Sequence, residues 1–339
     1  MIPGGTSPRI SILLPARNAE ATLSVCLRSM LRQTESAWEC VLVDDGSSDR
    51  TLAIAKRFAV QDPRFRVEAR PHEGLIATLN TGIPLCSAAI VARMDADDWM
   101  HRDRLRLQCA ALEDNPDLDA LGCFTRSFPR RELHDGRRRY EAWLHSLEDA
   151  EMIWRDRFIE CPIAHPSLII RRRVLAELGY RDRGWPEDWD LLLRLLRNGP
   201  RVGIVARRLL GWRDRSDRLS RRDPRYALDR FTACRAWHLH RDFLAGEPSY
   251  ILWGHGRTGR ALRSELAGLG HRPAAIVEVH PRRIGETIGG ALVIPPHALA
   301  KQPPYPVVVS VAGAGPRGEI RAALIQMGFR EGIRFICAA

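Results

Sequence analysis

Three carboxylates fall within four residues at Asp95, Asp97 and Asp98, just past the apolar run Ala88 to Ala92 and the pair Arg93-Met94. The run reads as a short buried strand. Like charges this close repel, so the cluster costs free energy unless something offsets it. A divalent cation would do so. Mg²⁺ and Mn²⁺ take oxygen ligands, commonly one or two carboxylates together with substrate phosphates. In an open α/β sheet, ligands collect at the carboxyl ends of the strands, which is where this Asp-x-Asp stands. Read alone, the same residues also suit a solvated acidic turn.

Two further acidic groups follow. The strand-like run Glu39 to Val43 ends in Asp44-Asp45-Gly46-Ser47-Ser48-Asp49. Adjacent acids there suit hydrogen bonding to a nucleobase or ribose, while the serines suit a turn and a cap for a helix from Thr51. Later, Trp185-Pro186-Glu187-Asp188-Trp189-Asp190-Leu191 opens a helix marked by Leu191, Leu192, Leu195 and Leu196 and stopped at Asn198-Gly199-Pro200. Proline at a helix start with acids in the first turn matches the helix dipole. Glu187 and Asp188 therefore read either as dipole partners or as chemical groups.

The elements that must position these acids alternate. Arg9 to Leu14 reads as a strand stopped by Pro15, followed by a helix whose buried face is Leu23, Leu27, Met30 and Leu31. Phe65 to Ala69 is a third strand, and Gly74 to Ile83 leads as helix or loop to the strand before Asp95. Arg102, Arg104, Leu105 and Gln108 enter a helix ending near Leu112, and Ala120 to Ser127 is another strand. A helix spans Leu147 to Phe158, and His165-Pro166 precedes the apolar run Ser167 to Ile170. Strands alternating with helices imply an α/β, doubly wound, mostly parallel sheet. The acidic clusters then converge on one crevice.

A chain of 339 residues suggests two domains, with three as the alternative. Met1 to Pro8 lacks a signal-peptide pattern, and no apolar run reaches the length of a membrane span. Eight cysteines without a Cys-x-x-Cys pair indicate neither a zinc site nor a disulfide framework, and suit a reducing cytoplasm. The net charge is +11, and all but two of the 52 basic residues are arginine. They are dense in Arg126 to Arg139 and Arg207 to Arg225. A solvated surface is the first reading of these stretches and attraction to anionic lipid the second. Interleaved acids and the lack of an aromatic-spaced motif argue against nucleic acid.

Beyond a helical stretch from Tyr226 to Phe243, Gly246-Glu247-Pro248 suggests a domain boundary. A strand, Tyr250 to Trp253, leads into Gly254-His255-Gly256-Arg257-Thr258-Gly259 and a helix to Leu269. Another strand, Ala274 to Val279, carries Glu278 about twenty residues past the glycines. This is a Rossmann-type arrangement, with Gly254, Gly256 and Gly259 at a phosphate-binding turn and Glu278 toward a ribose. Val307 to Val311 is a third strand ending in Gly313-Ala314-Gly315. This half resembles the small nucleotide-binding domain that precedes the β-helix of bacterial sugar acyltransferases, through Gly254-His255-Gly256, Glu278-Val279-His280-Pro281 and Ile288-Gly289-Gly290-Ala291-Leu292-Val293. A domain used for docking or homo-oligomer formation is the alternative.

From about residue 9 to 220 the chain resembles glycosyltransferase family 2, inverting enzymes of the GT-A fold. The resemblance rests on Leu14-Pro15 with Asn18-Ala19-Glu20, on Val43 to Asp49, on Gly74-Leu75 with Leu79-Asn80, and on Ala92 to Asp98. It continues through Arg104-Leu105 with Gln108, His165-Pro166-Ser167, and Glu187 to Leu191. It implies that Pro15, Arg17, Glu20, Asp45 and the neighbouring Asp44 and Asn80 line the nucleotide pocket, with Arg93 and Asp95 at the ribose and diphosphate. Asp97 is then the principal ligand of Mg²⁺ or Mn²⁺, and Asp188 the general base. Where the family often shows an aromatic, Arg and His, this chain has Trp212-Arg213-Asp214, and Asp214 could ligate a cation.

The organisation expected is a GT-A domain over 1–245 and a Rossmann-like nucleotide-binding or docking domain over 246–339. The function expected is metal-dependent, inverting transfer from a nucleotide-diphosphate sugar, UDP first, to a saccharide or lipid-linked acceptor in cell-envelope or exopolysaccharide synthesis. It would take place in the cytoplasm, with peripheral contact at the inner membrane face as an option. The alternative is a non-catalytic nucleotide-sugar sensor or scaffold working through the tail. A nicotinamide-dependent oxidoreductase ranks last, because no Tyr-Lys or His-based hydride site is evident.

Overall fold

The computed structural model describes residues 7–215 and 218–339. Residues 1–6 of the Met1 to Pro8 reading, and positions 216–217 of the Arg207 to Arg225 stretch, lie outside the described residues. The chain divides into two compact units. The first comprises Met1–Trp154, Pro162–Arg183 and Asp190–Arg218, and the second Arg155–Cys161, Gly184–Trp189 and Leu219–Ala339.

In the first unit, β1 (Ile10–Ala16), β2 (Trp38–Asp45), β3 (Phe65–Arg70) and β4 (Ile90–Arg93) are followed by β5 (Trp99–Met100), β6 (Ala120–Phe128), β7 (Ile169–Arg171) and β8 (Val202–Arg213). They form one sheet in the order β3-β2-β1-β4-β7-β6-β8-β5. β1 to β4 pair in parallel, as do β6 and β8, whereas β7 and β5 run antiparallel to their neighbours. β1 and β2 are buried along their whole lengths. Such continuous burial is what a parallel sheet covered on both faces produces. The core under it gathers Ile12, Leu14, Leu27, Met30, Leu42, Ala92 and Leu105.

Three details differ from the sequence reading. Pro15 does not stop β1, which runs on to Ala16 with Pro15 opposite Val43 of β2. The ladder with β4 ends at Leu13, so no partner there needs the N–H that proline lacks. Leu31, expected on the buried face of the helix Leu23–Leu31, is exposed; Cys26 takes its place beside Leu23, Leu27 and Met30. The twelve-residue strand β8 was not expected.

In the second unit, β9 (Ser249–Trp253), β10 (Arg272–Val277), β11 (Thr287–Ile288), β12 (Ala291–Ile294), β13 (Val307–Val309) and β14 (Phe335–Cys337) form a sheet in the order β11-β12-β10-β9-β13-β14. Apart from the short antiparallel β11, the pairs are parallel. Counting parallel strands along the chain gives 3-2-1-4-5, the start of the Rossmann order. The boundary expected at 246 falls inside this unit. The helix Leu228–Arg241 packs on the helix Arg257–Gly268 and so groups with the C-terminal sheet. Its Arg235 donates to the carbonyls of Phe158 and Ile159 at 2.7 and 2.8 Å, which ties segment 155–161 to the same unit.

All eight cysteines are buried as thiols, none of them in a disulfide. Burial pushes the thiols of Cys86, Cys109 and Cys337 up to about 12. Among the described residues, no helix is long and apolar enough to cross a membrane.

Candidate active site

The carboxyl ends of β1, β2 and β4 lie side by side, with Ala16 opposite Asp44 and Leu13 opposite Arg93. Pro15 is buried in this edge, and Arg17 and Glu20 are exposed on the turn that follows. That turn is laced to the one after β2. Ser48 N–H donates to Asn18 Oδ1 at 2.9 Å, Glu20 N–H donates to Asp49 Oδ2 at 3.1 Å, and Glu20 Oε2 accepts from Arg50 Nε at 3.1 Å.

Asp44 and Asp45 are both buried. Asp44 Oδ2 accepts from Ser47 N–H at 3.1 Å, while its Oδ1 has no hydrogen-bond partner. Asp45 is held from the turn after β3: His72 Nδ1 meets its Oδ2 at 2.8 Å and Glu73 N–H donates to its Oδ1 at 2.8 Å. Burial pushes the Asp45 carboxyl up, but the Glu73, His72 and Gly74 donors outweigh it and hold it below the ordinary value. Between them Gly46, at φ 65°, passes so close that a Cβ would sit 2.7 Å from His72 N.

The loop after β4 carries the acid trio. Side-chain oxygens of Asp95, Asp97 and Asp98 all lie within 4.8 Å of one another. Met94 N–H donates to Leu13 O at 3.1 Å, and Cys26 Sγ to Asp95 O at 3.3 Å. Arg104, fully buried, donates from Nη2 to Arg93 O at 3.0 Å and from Nε to Gln108 Oε1 at 2.9 Å. Gln108 in turn donates to Ser167 O at 3.0 Å. Buried Arg93 ion-pairs with Asp95. Burial, then the charge of Asp95, pushes the Asp97 carboxyl up; burial with Asp95 and Asp97 pushes the Asp98 carboxyl further.

This trio fits a hard divalent cation. Its donors are all oxygen, and Asp98 Oδ2 is buried without a hydrogen-bond donor. An orphaned carboxylate oxygen amid like charges is what a cation would satisfy. Asp98 is the third carboxylate of this cluster, and Asp214, expected as a ligand, is not among the three. Asp214 donates its N–H to Phe128 O at 2.7 Å and faces Arg218 at 3.9 Å, outside the trio.

Asn80, expected in the nucleotide pocket, uses both ends of its amide on the backbone of one residue: Nδ2 donates to Tyr180 O and Oδ1 accepts from Tyr180 N–H, each at 2.9 Å. The Tyr180 hydroxyl then hydrogen-bonds His165 Nε2 at 2.8 Å. Burial, with Arg93 nearby, pushes the His165 imidazole well below its usual range. This chain of contacts, with Arg104 and Gln108, is what the sequence reading missed. Asn80, Arg104, Gln108 and His165 stood in the motifs, but Tyr180 did not, and several of the partners are backbone groups that no motif names.

In the second unit, Asp188 lies in the first turn of the helix Glu187–Leu196 and is half-buried, its Oδ1 accepting from Trp189 N–H at 2.7 Å. Glu187 beside it is buried and accepts from the Tyr226 hydroxyl at 2.7 Å. At the end of β9, Gly254 stands at φ 93° and a Cβ on Gly259 would lie 2.1 Å from the Gly254 carbonyl, so only glycine lets that helix come so close. Gly256 is the residue before the helix Arg257–Gly268 and is exposed. Glu278 turns back on the glycine turn, accepting from His255 N–H at 2.8 Å and facing Arg283 at 3.6 Å.

The sequence profile of "Glycosyl transferase family 2" matches residues 11–179. A Bacillus subtilis (strain 168) protein named as glycosyltransferase EpsE is 29% identical over 244 residues, covering 69% of this chain and 84% of that protein. The amylovoran biosynthesis glycosyltransferase AmsE of Erwinia amylovora is 30% identical over 216 residues, covering 62% of this chain and 79% of its own. Among solved structures, S. aureus TarS 1-349 in complex with UDP-GlcNAc superposes with a TM-score of 0.56 at 16% identity, covering 76% of this chain and 71% of that one. At that identity the likeness speaks for the fold alone. The kinship with AmsE along most of its length, on a sheet whose carboxyl edge bears the acids of the family motif, makes this chain a glycosyltransferase belonging to glycosyltransferase family 2.

Proposed function

We propose that this glycosyltransferase moves a sugar from a nucleoside-diphosphate donor, with UDP as the nucleotide, to a saccharide or lipid-linked acceptor, and inverts the anomeric carbon. The observation that carries the reading is the trio Asp95, Asp97 and Asp98, with its buried, partnerless Asp98 oxygen. Asp97, Asp95 and Asp98 would hold Mg²⁺ or Mn²⁺. When bound, that ion supplies positive charge against the departing diphosphate. Pro15, Arg17, Glu20, Asp44 and Asp45 form the edge for the nucleotide, and Arg93 braces Asp95 toward the diphosphate. The reading gives Asn80 a positioning part through Tyr180 rather than a contact with donor.

A sugar hydroxyl is a weak nucleophile, and a carboxylate in reach must take its proton as it attacks; Asp188 is the residue proposed for this. One base and no enzyme nucleophile imply a single displacement, hence inversion. UDP is favoured because TarS, of the same fold, was captured with UDP-GlcNAc. Assembly of a cell-envelope or exopolysaccharide is supported by the relative AmsE, named for amylovoran biosynthesis. The domains proposed remain 1–245 for transfer and 246–339 for nucleotide binding, docking or self-association, the latter supported by the strand order and the Gly254–Gly259 contact. The reaction is placed on the cytoplasmic side, where nucleotide sugars are available, with peripheral membrane contact through the Arg-rich surface.

The test is turnover of UDP-sugars with Mn²⁺ by Asp97→Ala and Asp188→Asn. Asp97→Ala loses transfer and the Mn²⁺-dependent thermal shift. Asp188→Asn loses about 10²- to 10⁴-fold in kcat while keeping donor affinity. Near-normal rates in both variants would refute the reading.

A further inference from the structure

We infer that a cavity of about 520 Å³ walled by His101, Phe124, His145, Arg207 and Arg208 is a subsite for an anionic saccharide, one bearing carboxylate or phosphate groups. The inference rests on the transferase reading in one respect only, that the bound saccharide is the acceptor.

Sequence creates this cavity through an interruption in β8. Cys123 of β6 stands opposite Val205, but the next residue, Phe124, stands opposite Arg208, so Ala206 and Arg207 bulge from the ladder. A bulge leaves its residues unpaired and re-aims their side chains. Arg207 and Arg208 are both exposed, and among the described residues neither guanidinium has a hydrogen bond or ion pair. None of the residues that line the cavity is acidic. His101 alone meets a carboxylate outside it, Asp103, at 3.7 Å. Two adjacent arginines without a counter-charge form a ready fork for carboxylate or phosphate oxygens.

Beside the arginines stands an aromatic pair, Phe124 being the ladder partner of Arg208. The rings of Phe124 and His145 stack with centroids 4.5 Å apart and 27° between planes. His145 is fixed by its Nε2, which donates to Thr125 O at 2.9 Å. An aromatic face beside two uncommitted guanidinium groups in a concave site of this volume suits a ring-shaped ligand. A bilayer surface attracts basic residues without needing a cavity or a platform, so the shape favours a saccharide over lipid head groups.

The cavity is tied to the acid trio by one strand. His101 follows Asp98 by three residues through β5, about 10 Å of extended chain, and its N–H donates to Leu209 O at 2.8 Å. A short acidic oligosaccharide seated on Arg207 and Arg208 would thus lie near the carboxylates that handle the donor.

The full chain, without donor or metal, is titrated by calorimetry with tetragalacturonate, pentamannose phosphate and neutral maltotetraose, and with phosphatidylglycerol vesicles. The expected result is that one or both acidic oligosaccharides bind at least about tenfold more tightly than maltotetraose, and that R207A/R208A removes this margin. R207K/R208K keeps the charge and loses the fork, so it should fall between the two. The Mn²⁺-dependent thermal shift with UDP-sugar stays unchanged in both variants, which also shows that they fold. Equal binding of neutral and acidic oligosaccharides, or full affinity in R207A/R208A, overturns the inference. So does arginine-dependent binding to vesicles without binding to either acidic saccharide. Asp97→Ala should bind the acidic oligosaccharide normally, so loss of the transferase reading and loss of the subsite are told apart.

Discussion

The backbone N–H of Arg213 donates to Asp98 Oδ1 at 2.7 Å, and the Nε of the same arginine donates to the carbonyl of Asp97 at 2.8 Å. The last residue of β8 therefore sets the orientation of two members of the trio at once. Arg213→Ala keeps the first contact and loses the second. Groups that orient metal ligands typically cost 10- to 100-fold in metal affinity when removed, so Mn²⁺ affinity should fall by roughly tenfold or more. Calorimetric Mn²⁺ titration of wild type and variant checks this, and unchanged affinity would show that the guanidinium is ornamental.

Removal of divalent cations should abolish transfer. After treatment with EDTA, activity is expected to return on adding Mn²⁺ or Mg²⁺, both of which favour oxygen ligands. Full activity in excess chelator would mean that Asp95, Asp97 and Asp98 tolerate their mutual repulsion for another purpose.

Asp45 makes stability depend on pH. Burial raises its carboxyl, but the donors from Glu73, His72 and Gly74 win, and its folded value is below the ordinary 3.8. A group so depressed contributes stability that is fully present above its unfolded value and is lost as pH falls through the lower folded one. Asp45→Asn, which weakens these charge-assisted bonds, should cost about 1–3 kcal/mol near pH 7, with the difference shrinking below about pH 4. Melting curves of both proteins at neutral and acid pH decide the matter; a gap independent of pH would place the effect elsewhere.

Gly259→Ala puts a methyl group 2.1 Å from the Gly254 carbonyl oxygen. Backbone cannot yield as a flexible side chain does, so the second unit should lose about 1–3 kcal/mol, the usual cost of overpacking. Gly268→Ala, with nothing near its added Cβ, should be neutral or mildly stabilising. Proteolysis of the C-terminal unit in the two variants provides the comparison, and equal resistance would contradict the contact.

The parallel half of the first sheet was legible because burial on both faces leaves short apolar runs, as at 12–14 and 40–43. β8 was not, because Arg207 and Arg208 interrupt its apolar pattern where the chain bulges. The trio was visible as spacing, yet the contact that orients Asp98 comes from Arg213, 115 residues away. Asn80 belonged to a family motif, but only the fold shows that its amide grips the Tyr180 backbone. Residue type and spacing announce a charge; which backbone group steadies it is a long-range fact that local sequence does not carry.

Because every native thiol is buried and several are held far from ionisation, maleimide reagents should leave the folded chain unlabelled at neutral pH. A cysteine introduced at exposed Arg17 would then be a solitary attachment point for a fluorophore, with no prior stripping of natural sulfhydryls. The molecule comes prepared for watching, in real time, whether donor fills the edge proposed for the nucleotide.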